Sequence, residues 1–442
     1  MSTTNELQNY WPAPLAAGPL NATVTVPASK SLSNRYLLLA ALATGPSTIH
    51  NLLISRDTEL MLQALAAFGV QIEREERADG STTVRVQPPQ RLTTHEVHVD
   101  CGLAGTVMRF VPALAAAAGA QAHFDGDPAA RVRPMAPVLD ALARLGARFD
   151  FGGEPGKLPF SIDAGAVRGG QPITVDGSAS SQFVSALLLV GHALPGGLQL
   201  KAADGPLASG DHIAMTVQTL RELGVQVNVD ADGRGWQIAE QPMVGFEVTV
   251  EPDLSNAGPF LAAALVAGGT VRIPFWPKET TQVGGKWVQI LGDMGARIEL
   301  DDASVLHVHG GDEIRGIDYA DASELAPTLA ALCALANSPS ELTGIGHLRG
   351  HETDRLAALE TELRRVGAYV EQTDTGLRIV PGPRRAADLL SYEDHRMATA
   401  GAILGLAIDG VRVQNIGTTA KTMPDFPRLW QDMVATGQAG RG

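Results

Sequence analysis

Met61-Leu62-Gln63-Ala64-Leu65-Ala66-Ala67-Phe68-Gly69-Val70-Gln71-Ile72-Glu73 reads as the end of a leucine-rich helix, a glycine stop and the opening of an alternating strand. The same succession returns at Gly146, Gly224, Gly295, Gly367 and Gly437, at intervals of 70 to 78 residues, and a strand pattern follows the first five, as in Gly295 to Leu300. A period this long is too large for a solenoid repeat, so it predicts one supersecondary motif present six times. Each repeat carries a second, more uniformly apolar helix, closed in turn by Gly45, Gly119, Gly196, Gly268, the turn Asn337 to Pro339, and Gly410. A helix apolar all round is a buried one. Extended alternating runs follow these helices, among them Thr48 to Asn51, Leu198 to Lys201, Thr270 to Ile273 and Val411 to Gln414. The expected unit is strand, buried helix, strand, amphipathic helix, strand: an α/β (α+β) fold with helices inside and sheets outside.

At 442 residues and 45% hydrophobic content the chain is too long for one core and long enough for two, so three repeats per domain is the simplest partition. The sixth repeat has only Gln438 to Gly442 after its glycine, whereas Thr23 to Val26 is a strand with no partner of its own. The amino-terminal segment is therefore expected to complete the carboxy-terminal domain. Residues 1–27 with 251–442 would form one domain and 28–250 the inserted other, with the active site in the cleft between them. The crossings near Ala28 and Glu251 contain no low-complexity linker, which predicts a hinge of two strands.

A net charge of −14 leaves no basic excess for nucleic acid or an anionic membrane surface, so any anionic ligand must be held locally. Cys101 and Cys333 stand 232 positions apart, which gives neither a disulfide framework nor metal-ligand spacing; both read as small buried residues of a chain in the reducing cytoplasm. No apolar run approaches a membrane span, and Met1 to Asn9 shows no secretion signal.

Polar and charged residues gather where these helices are expected to begin. The buried set opens on Ser29, Lys30, Ser31, Ser33, Asn34 and Arg35, then Gly105, Thr106 and Arg109, then Ser178, Ser180, Ser181 and Gln182, then Ser255 and Asn256, Asp321, and finally Asp394, His395 and Arg396. The amphipathic set opens on Asp57, Arg133, Ser209 with Asp211, Lys278, Glu352 with Arg355, and Lys421. Serine and aspartate there are ordinary caps. Lys30, Arg35, Arg109, Arg133, Arg355, Arg396 and Lys421 are different, because a cation at a helix amino terminus opposes the dipole unless an anion lies near. Seven such residues on an acidic chain predict a polyanionic ligand; the competing account is exposed cations at fraying ends, or pairs with Asp57 and Glu352. Asp321 and Glu352 add two carboxylates, a combination suited to proton transfer on an anionic substrate.

These motifs resemble a known family, the 5-enolpyruvylshikimate-3-phosphate synthases, over nearly the whole chain. The likeness rests on Ser29 to Arg35, Ala104 to Arg109, Ser178 to Gln182, Glu352 to Arg355, Asp394 to Met397, and Ala420 to Thr422. It implies the enolpyruvyl transferase fold, with parallel buried helices, and transfer of the enolpyruvyl group of phosphoenolpyruvate to the 5-hydroxyl of shikimate 3-phosphate. Carried over by motif, Lys30, Ser31, Arg35, Ser180, Ser181, Gln182, Ser209 and Asp321 would hold shikimate 3-phosphate. Lys30, Gly105, Arg133, Arg355, Arg396 and Lys421 would hold phosphoenolpyruvate. Asp321 would take the hydroxyl proton, and Glu352, with Lys30, would protonate the methylene carbon. No metal or cofactor is implied, because side chains supply the cations, and a monomer suffices for small ligands.

Three positions depart from the family pattern: His351 replaces a usual Lys, Leu103 a usual Asn, and Phe110 a usual Pro, while the retained Gly105 and Thr106 predict glyphosate sensitivity. The related transferase acting on UDP-N-acetylglucosamine typically uses a cysteine before an Arg-Pro pair, and Asp125 to Pro134 contains none. A non-catalytic anion-binding repeat protein would need the cations but not Asp321 and Glu352 together.

Overall fold

Gly69, Gly146, Gly224, Gly295 and Gly367 all adopt positive φ, between +84° and +115°, in the computed structural model, which describes residues 9–78, 80–350 and 352–437. Each donates its N–H back to the last helical turn, as Gly69 does to the Ala66 carbonyl at 2.9 Å and Gly367 to that of Arg364 at 3.1 Å. A left-handed residue there ends the helix and redirects the chain, and glycine adopts it without a Cβ penalty. Strands follow at Gln71–Glu76, Arg148–Phe151, Asn228–Val229, Arg297–Leu300 and Tyr369–Gln372.

The repeat is clearest around the helix Gly105–Ala118. Val97–Asp100 before it pairs parallel with Gln121–Asp125 after it, so the helix is a crossover between parallel neighbours. Phe160–Asp163 and then Arg148–Phe151 extend the sheet antiparallel. The same order, parallel pair then antiparallel pair, recurs in sheets that begin with Pro172–Val175 and with Asp318–Ala320. The crossover helices are apolar enough to be buried on every side: all ten residues of Ala326–Leu335 and twelve of Gly105–Ala118 are buried.

In two sheets the first strand is exchanged. Leu20–Thr23, which leads toward the helix Lys30–Leu42, pairs instead with Gly269–Ile273. Glu247–Thr249, which leads toward Leu254–Ala267, pairs with Ser47–His50. The amino-terminal strand thus lies three residues earlier than Thr23 to Val26. The alternation of buried Leu20, Ala22, Val24 and Val26 runs past the regular ladder, and Val24 N–H still reaches the Arg272 carbonyl at 2.9 Å. A further strand that the sequence pattern does not signal, Tyr10–Pro12, pairs antiparallel with Arg412–Gln414 and completes the sixth sheet beside Asp388–Leu389.

The chain separates into two compact units, Met1–Pro27 with Pro252–Gly442, and Ala28–Glu251. Each has its own hydrophobic core and its own three sheets. Where the chain passes between them, Asp253 N–H donates to the Pro27 carbonyl and Ser29 N–H to that of Glu251, both at 2.8 Å. Both cysteines are buried, and burial raises both thiol pKa values, Cys333 to about 12. No helix among the described residues is long and apolar enough to cross a membrane.

His192, 1% exposed in the turn after the helix Ser181–Val190, is pressed down to a pKa of about 4 by burial, only partly offset by the Leu189 backbone. A depressed folded-state pKa means that the folded chain binds fewer protons, so this contribution is present above pH ~6.5 and is lost as pH falls toward the folded value. Urea denaturation as a function of pH should show a loss of up to about 3 kcal/mol across that window, and His192→Gln should flatten it. An unchanged slope in the variant would remove His192 as its source.

Candidate active site

In the unit Ala28–Glu251, Lys30 is the first residue of the helix Lys30–Leu42, whose amino terminus is capped by the Ser29 hydroxyl. Its ammonium lies 3.0 Å from Asp57 Oδ2 in the first turn of the helix Arg56–Ala67, so the charge that opposes one dipole is met by a carboxylate that favours another. Arg35, one and a half turns further on, is a tie between helices. It donates to Thr216 Oγ1 at 2.8 Å, to the Ser31 carbonyl at 2.9 Å and to the His212 carbonyl at 3.1 Å, and its guanidinium lies over the Phe110 ring at 5.5 Å. At 2% exposure it is almost wholly enclosed.

Arg109 performs a similar service for the serine motif. Stacked over Phe183 at 5.0 Å, it donates to Gln182 Oε1 at 2.7 Å and to Ser180 Oγ at 3.4 Å. The same Ser180 oxygen caps the helix Ser181–Val190 by accepting from Gln182 N–H. Beside them lies Gly105: a Cβ there would stand 3.1 Å from Gln182 Oε1 and 3.3 Å from both terminal nitrogens of Arg133. Gly105, Arg133 and Gln182 are therefore brought together, and the missing side chain is what leaves room for the guanidinium. Arg133 donates to the Leu103 carbonyl at 3.3 Å, a backbone contact that does not depend on whether Asn or Leu stands at that position. Ser209 opens the helix Gly210–Glu222 in a left-handed conformation at φ 49°.

In the other unit, Asp394 carries the arrangement. It is fully buried, caps the helix His395–Gly405 by accepting from Arg396 N–H at 2.8 Å, and holds Arg355 through two contacts of 2.7 and 3.2 Å. Burial alone would favour loss of the Arg355 proton, but Asp394 and Glu352 outweigh it and hold the pKa above the ordinary arginine value. Arg355 also donates to Glu352 Oε2 at 3.0 Å, and Lys421 Nζ reaches Glu352 Oε1 at 2.6 Å, so both Glu352 oxygens accept from cations. Arg396 reaches Glu324 Oε1 at 3.0 Å. Pairing with Asp57 and Glu352, the competing account of the cations, is thus what the structure shows for Lys30, Arg355 and Lys421; the side chains of these pairs are at most 18% exposed.

Asp321 is exposed at φ 56°, and its N–H donates to the Thr343 carbonyl at 3.0 Å. A Cβ on Gly344, itself at φ 69°, would collide with the Asp321 carboxylate. Gly344 and Glu324 are functional candidates that the motif reading misses. A glycine at the end of a strand and a glutamate between Ser323 and Leu325 carry no spacing signal.

Three cations are not where the helix pattern places them. Arg133 lies in the turn between the helices Pro128–Arg131 and Ala136–Arg144, and Lys421 closes the 3-10 turn Ile416–Lys421. Lys278 stands in the segment before the 3-10 turn Val283–Lys286. Pro424 and Pro134 shift the helix starts forward, since Pro disfavours helical geometry in the residue before it. Arg35 and Arg109, the sixth and fifth residues of their helices, lie past the first turn, so the dipole argument applies to Lys30, Arg355 and Arg396, which occupy first-turn positions. His351 lies outside the described residues. No group of three His, Cys, Asp or Glu side chains among the described residues is placed to hold a metal ion.

Two units of repeated βαβ motifs with cations and carboxylates at their helix starts form the enolpyruvyl transferase fold. The solved EPSP synthase from Acinetobacter baumannii matches with a TM-score of 0.78 and 25% identity over 96% of this chain and 98% of that one. The family model for EPSP synthase (3-phosphoshikimate 1-carboxyvinyltransferase) matches residues 15–430. The 3-phosphoshikimate 1-carboxyvinyltransferase of Bifidobacterium longum is 50% identical over 98% of this chain and 99% of its own length. That of Kocuria rhizophila is 51% identical over 97% of each. The chain belongs to the EPSP synthase family, the carboxyvinyl transferases of the shikimate pathway.

Gly344→Ala tests whether the turn geometry matters to Asp321. Displacing the carboxylate by about an ångström, as the overlap of the added Cβ with its oxygen requires, should lower turnover roughly tenfold or more, with a left-handed-strain cost of about 1–3 kcal/mol in urea denaturation. Unchanged turnover would separate Asp321 from its seat.

Proposed function

We propose that the two clusters serve one reaction, in which the enolpyruvyl group of phosphoenolpyruvate moves to the 5-hydroxyl of shikimate 3-phosphate. The products are 5-enolpyruvylshikimate 3-phosphate and phosphate. The observation that carries this reading is the grouping of the six sequence motifs into two charge clusters, one built around Arg109, Arg133 and Gly105 and the other around Asp394, Arg355 and Glu352.

Ser31, Arg35, Ser180, Ser181, Gln182 and Ser209, with Asp321, hold shikimate 3-phosphate. Gly105, Arg133, Arg355, Arg396 and Lys421 hold phosphoenolpyruvate, and Lys30 contacts both. In the addition half, Asp321 accepts the 5-hydroxyl proton while the oxygen bonds to C2 of phosphoenolpyruvate, and a proton is delivered to C3, which becomes a methyl group. Glu352, next to Lys421, delivers that proton, with Lys30 assisting. The tetrahedral intermediate carries phosphate and carboxylate together, a charge that fixed guanidinium and ammonium groups stabilise. In the elimination half the methyl proton returns to Glu352, whose two oxygens already face cations, the C2–O bond to phosphate breaks, and the departing phosphate carries off the proton that Asp321 accepted.

The working unit is a monomer, because one chain supplies every assigned group, and the compartment is the cytoplasm, where two buried thiols remain reduced. Glyphosate competes with phosphoenolpyruvate for the space beside Gly105.

Phosphorus NMR of the protein mixed with both substrates in excess chelator should show inorganic phosphate at an undiminished rate. Release from either substrate alone, release with UDP-N-acetylglucosamine replacing the shikimate compound, or loss of turnover on chelation would contradict the assignment. Asp321→Ala should retain measurable binding of shikimate 3-phosphate while losing most turnover, on the order of 10²–10⁴-fold.

A further inference from the structure

We infer that Tyr392 is a positioning residue for phosphoenolpyruvate binding: through Glu362 it locks a strained turn that sets where Asp394, Arg355 and Arg396 stand. The inference rests on the assignment of Arg355, Arg396 and Lys421 to that substrate. Among the described residues other than glycine that adopt positive φ, Tyr392 and Glu393, at 54° and 55°, are the one adjacent pair. Such residues enter that region singly and at a cost, and a bulky tyrosine does so rarely, so neighbours must hold the pair there. Both are clamped. The Tyr392 hydroxyl donates to Glu362 Oε1 at 2.6 Å, and the Asn415 amide donates to both Glu393 oxygens at 2.9 and 3.0 Å. Glu362 is itself buried, and its second oxygen accepts from Leu390 N–H at 3.1 Å, so one carboxylate pins the segment at two points. Burial, and then the Glu362 contact, push the phenol up to about 12, so the hydroxyl remains a donor throughout the range of an assay.

The clamps join the three elements that carry the cations. Glu362 lies about two turns along the helix Arg355–Arg365, which opens on Arg355. Asn415 precedes the 3-10 turn Ile416–Lys421, which ends on Lys421. The clamped pair leads directly into Asp394, whose N–H closes the turn on the Ser391 carbonyl at 2.9 Å, and then into the helix His395–Gly405 with Arg396 in its first turn. Tyr392 and Glu393 are therefore the joint at which these elements meet, and its conformation sets the spacing between the Arg355 and Arg396 guanidinium groups. Strain of this kind persists only where the surroundings over-determine it, so loss of the hydroxyl lets the turn relax. A shift of Asp394 carries Arg355 with it, because Asp394 holds that guanidinium through two contacts. Neither Tyr392 nor Glu362 is assigned a contact with substrate, so their effect falls on the placement of the cations.

Steady-state kinetics and urea denaturation on two variants separate positioning from stability. Tyr392→Phe keeps the ring and removes the bond to Glu362. It should raise the KM for phosphoenolpyruvate about 5- to 20-fold and leave the KM for shikimate 3-phosphate within about twofold. Glu393→Gly removes the second clamp and, because glycine accepts positive φ freely, relieves the strain; it should raise the same KM while the urea midpoint holds or rises. A structural role alone leaves the KM for phosphoenolpyruvate at its wild-type value in any variant that stays folded. The inference is overturned by an unchanged KM in Tyr392→Phe, by an equal rise for both substrates, or by a Tyr392→Phe chain that does not fold. A Glu393→Gly chain whose KM stays at the wild-type value, or rises only as its midpoint falls, overturns it as well. Arg396→Ala, measured in parallel, distinguishes the levels of failure. If it leaves the KM for phosphoenolpyruvate unaltered, the assignment of Arg396 falls and this inference with it. If the wild-type chain releases no phosphate from the two substrates together, the functional reading itself fails.

Discussion

A carboxylate and a guanidinium, both removed from water, hold one unit's chemistry in place: Asp394, wholly buried, grips Arg355 and caps the helix that begins with His395 and Arg396. From that pair a connected series of charges runs outward, Arg355 to Glu352 to Lys421 on one side and Arg396 to Glu324 on the other. Burying a lone ion costs several kcal/mol, and removing one partner of a buried pair typically costs about 3–5 kcal/mol, so neither residue is replaceable alone. The geometry of Glu352 is fixed at second hand, by an arginine that is itself fixed by an aspartate.

The two clusters solve the problem of clustered cations differently. In the unit with Asp394, Arg355, Arg396 and Lys421 are matched by Asp394, Glu324 and Glu352. In the other, Arg35, Arg109 and Arg133 are held mainly by neutral acceptors: Thr216, Gln182, Ser180 and backbone carbonyls, with Phe110 and Phe183 beneath two of them. Of the four cations there, Lys30 has a carboxylate partner in Asp57. Neutral acceptors orient a guanidinium without cancelling its charge. The matched cluster is suited to proton transfer, where the anionic and protonated forms of a carboxylate must both be accessible.

Much of this was legible in the sequence because it is local. A glycine that must turn left-handed after a leucine-rich helix marks each repeat, and five such glycines sit at positive φ. Lys30, Ser180, Arg355 and Arg396 fall at helix starts because their caps, Ser29, Asp354 and Asp394, are readable residue types, Ser180 being a cap itself. What was not legible depends on long-range pairing. The exchange of Leu20–Thr23 and Glu247–Thr249 between sheets involves partners more than 190 positions apart in sequence, as from His50 to Thr249. Asp394 reads as an ordinary cap until Arg355 is seen beside it. Glu324 and Gly344 matter only through Arg396 and Asp321, and no periodicity announces such pairings.

The central claim is that cations now resting on protein acceptors exchange those partners for the anionic groups of substrate. A crystal structure with shikimate 3-phosphate and an unreactive phosphoenolpyruvate analogue tests it most directly. The account predicts Arg133, Arg396 and Lys421 within hydrogen-bonding distance of the analogue's phosphate and carboxylate oxygens. An analogue bound elsewhere, with those side chains still on Leu103, Glu324 and Glu352 alone, would contradict it.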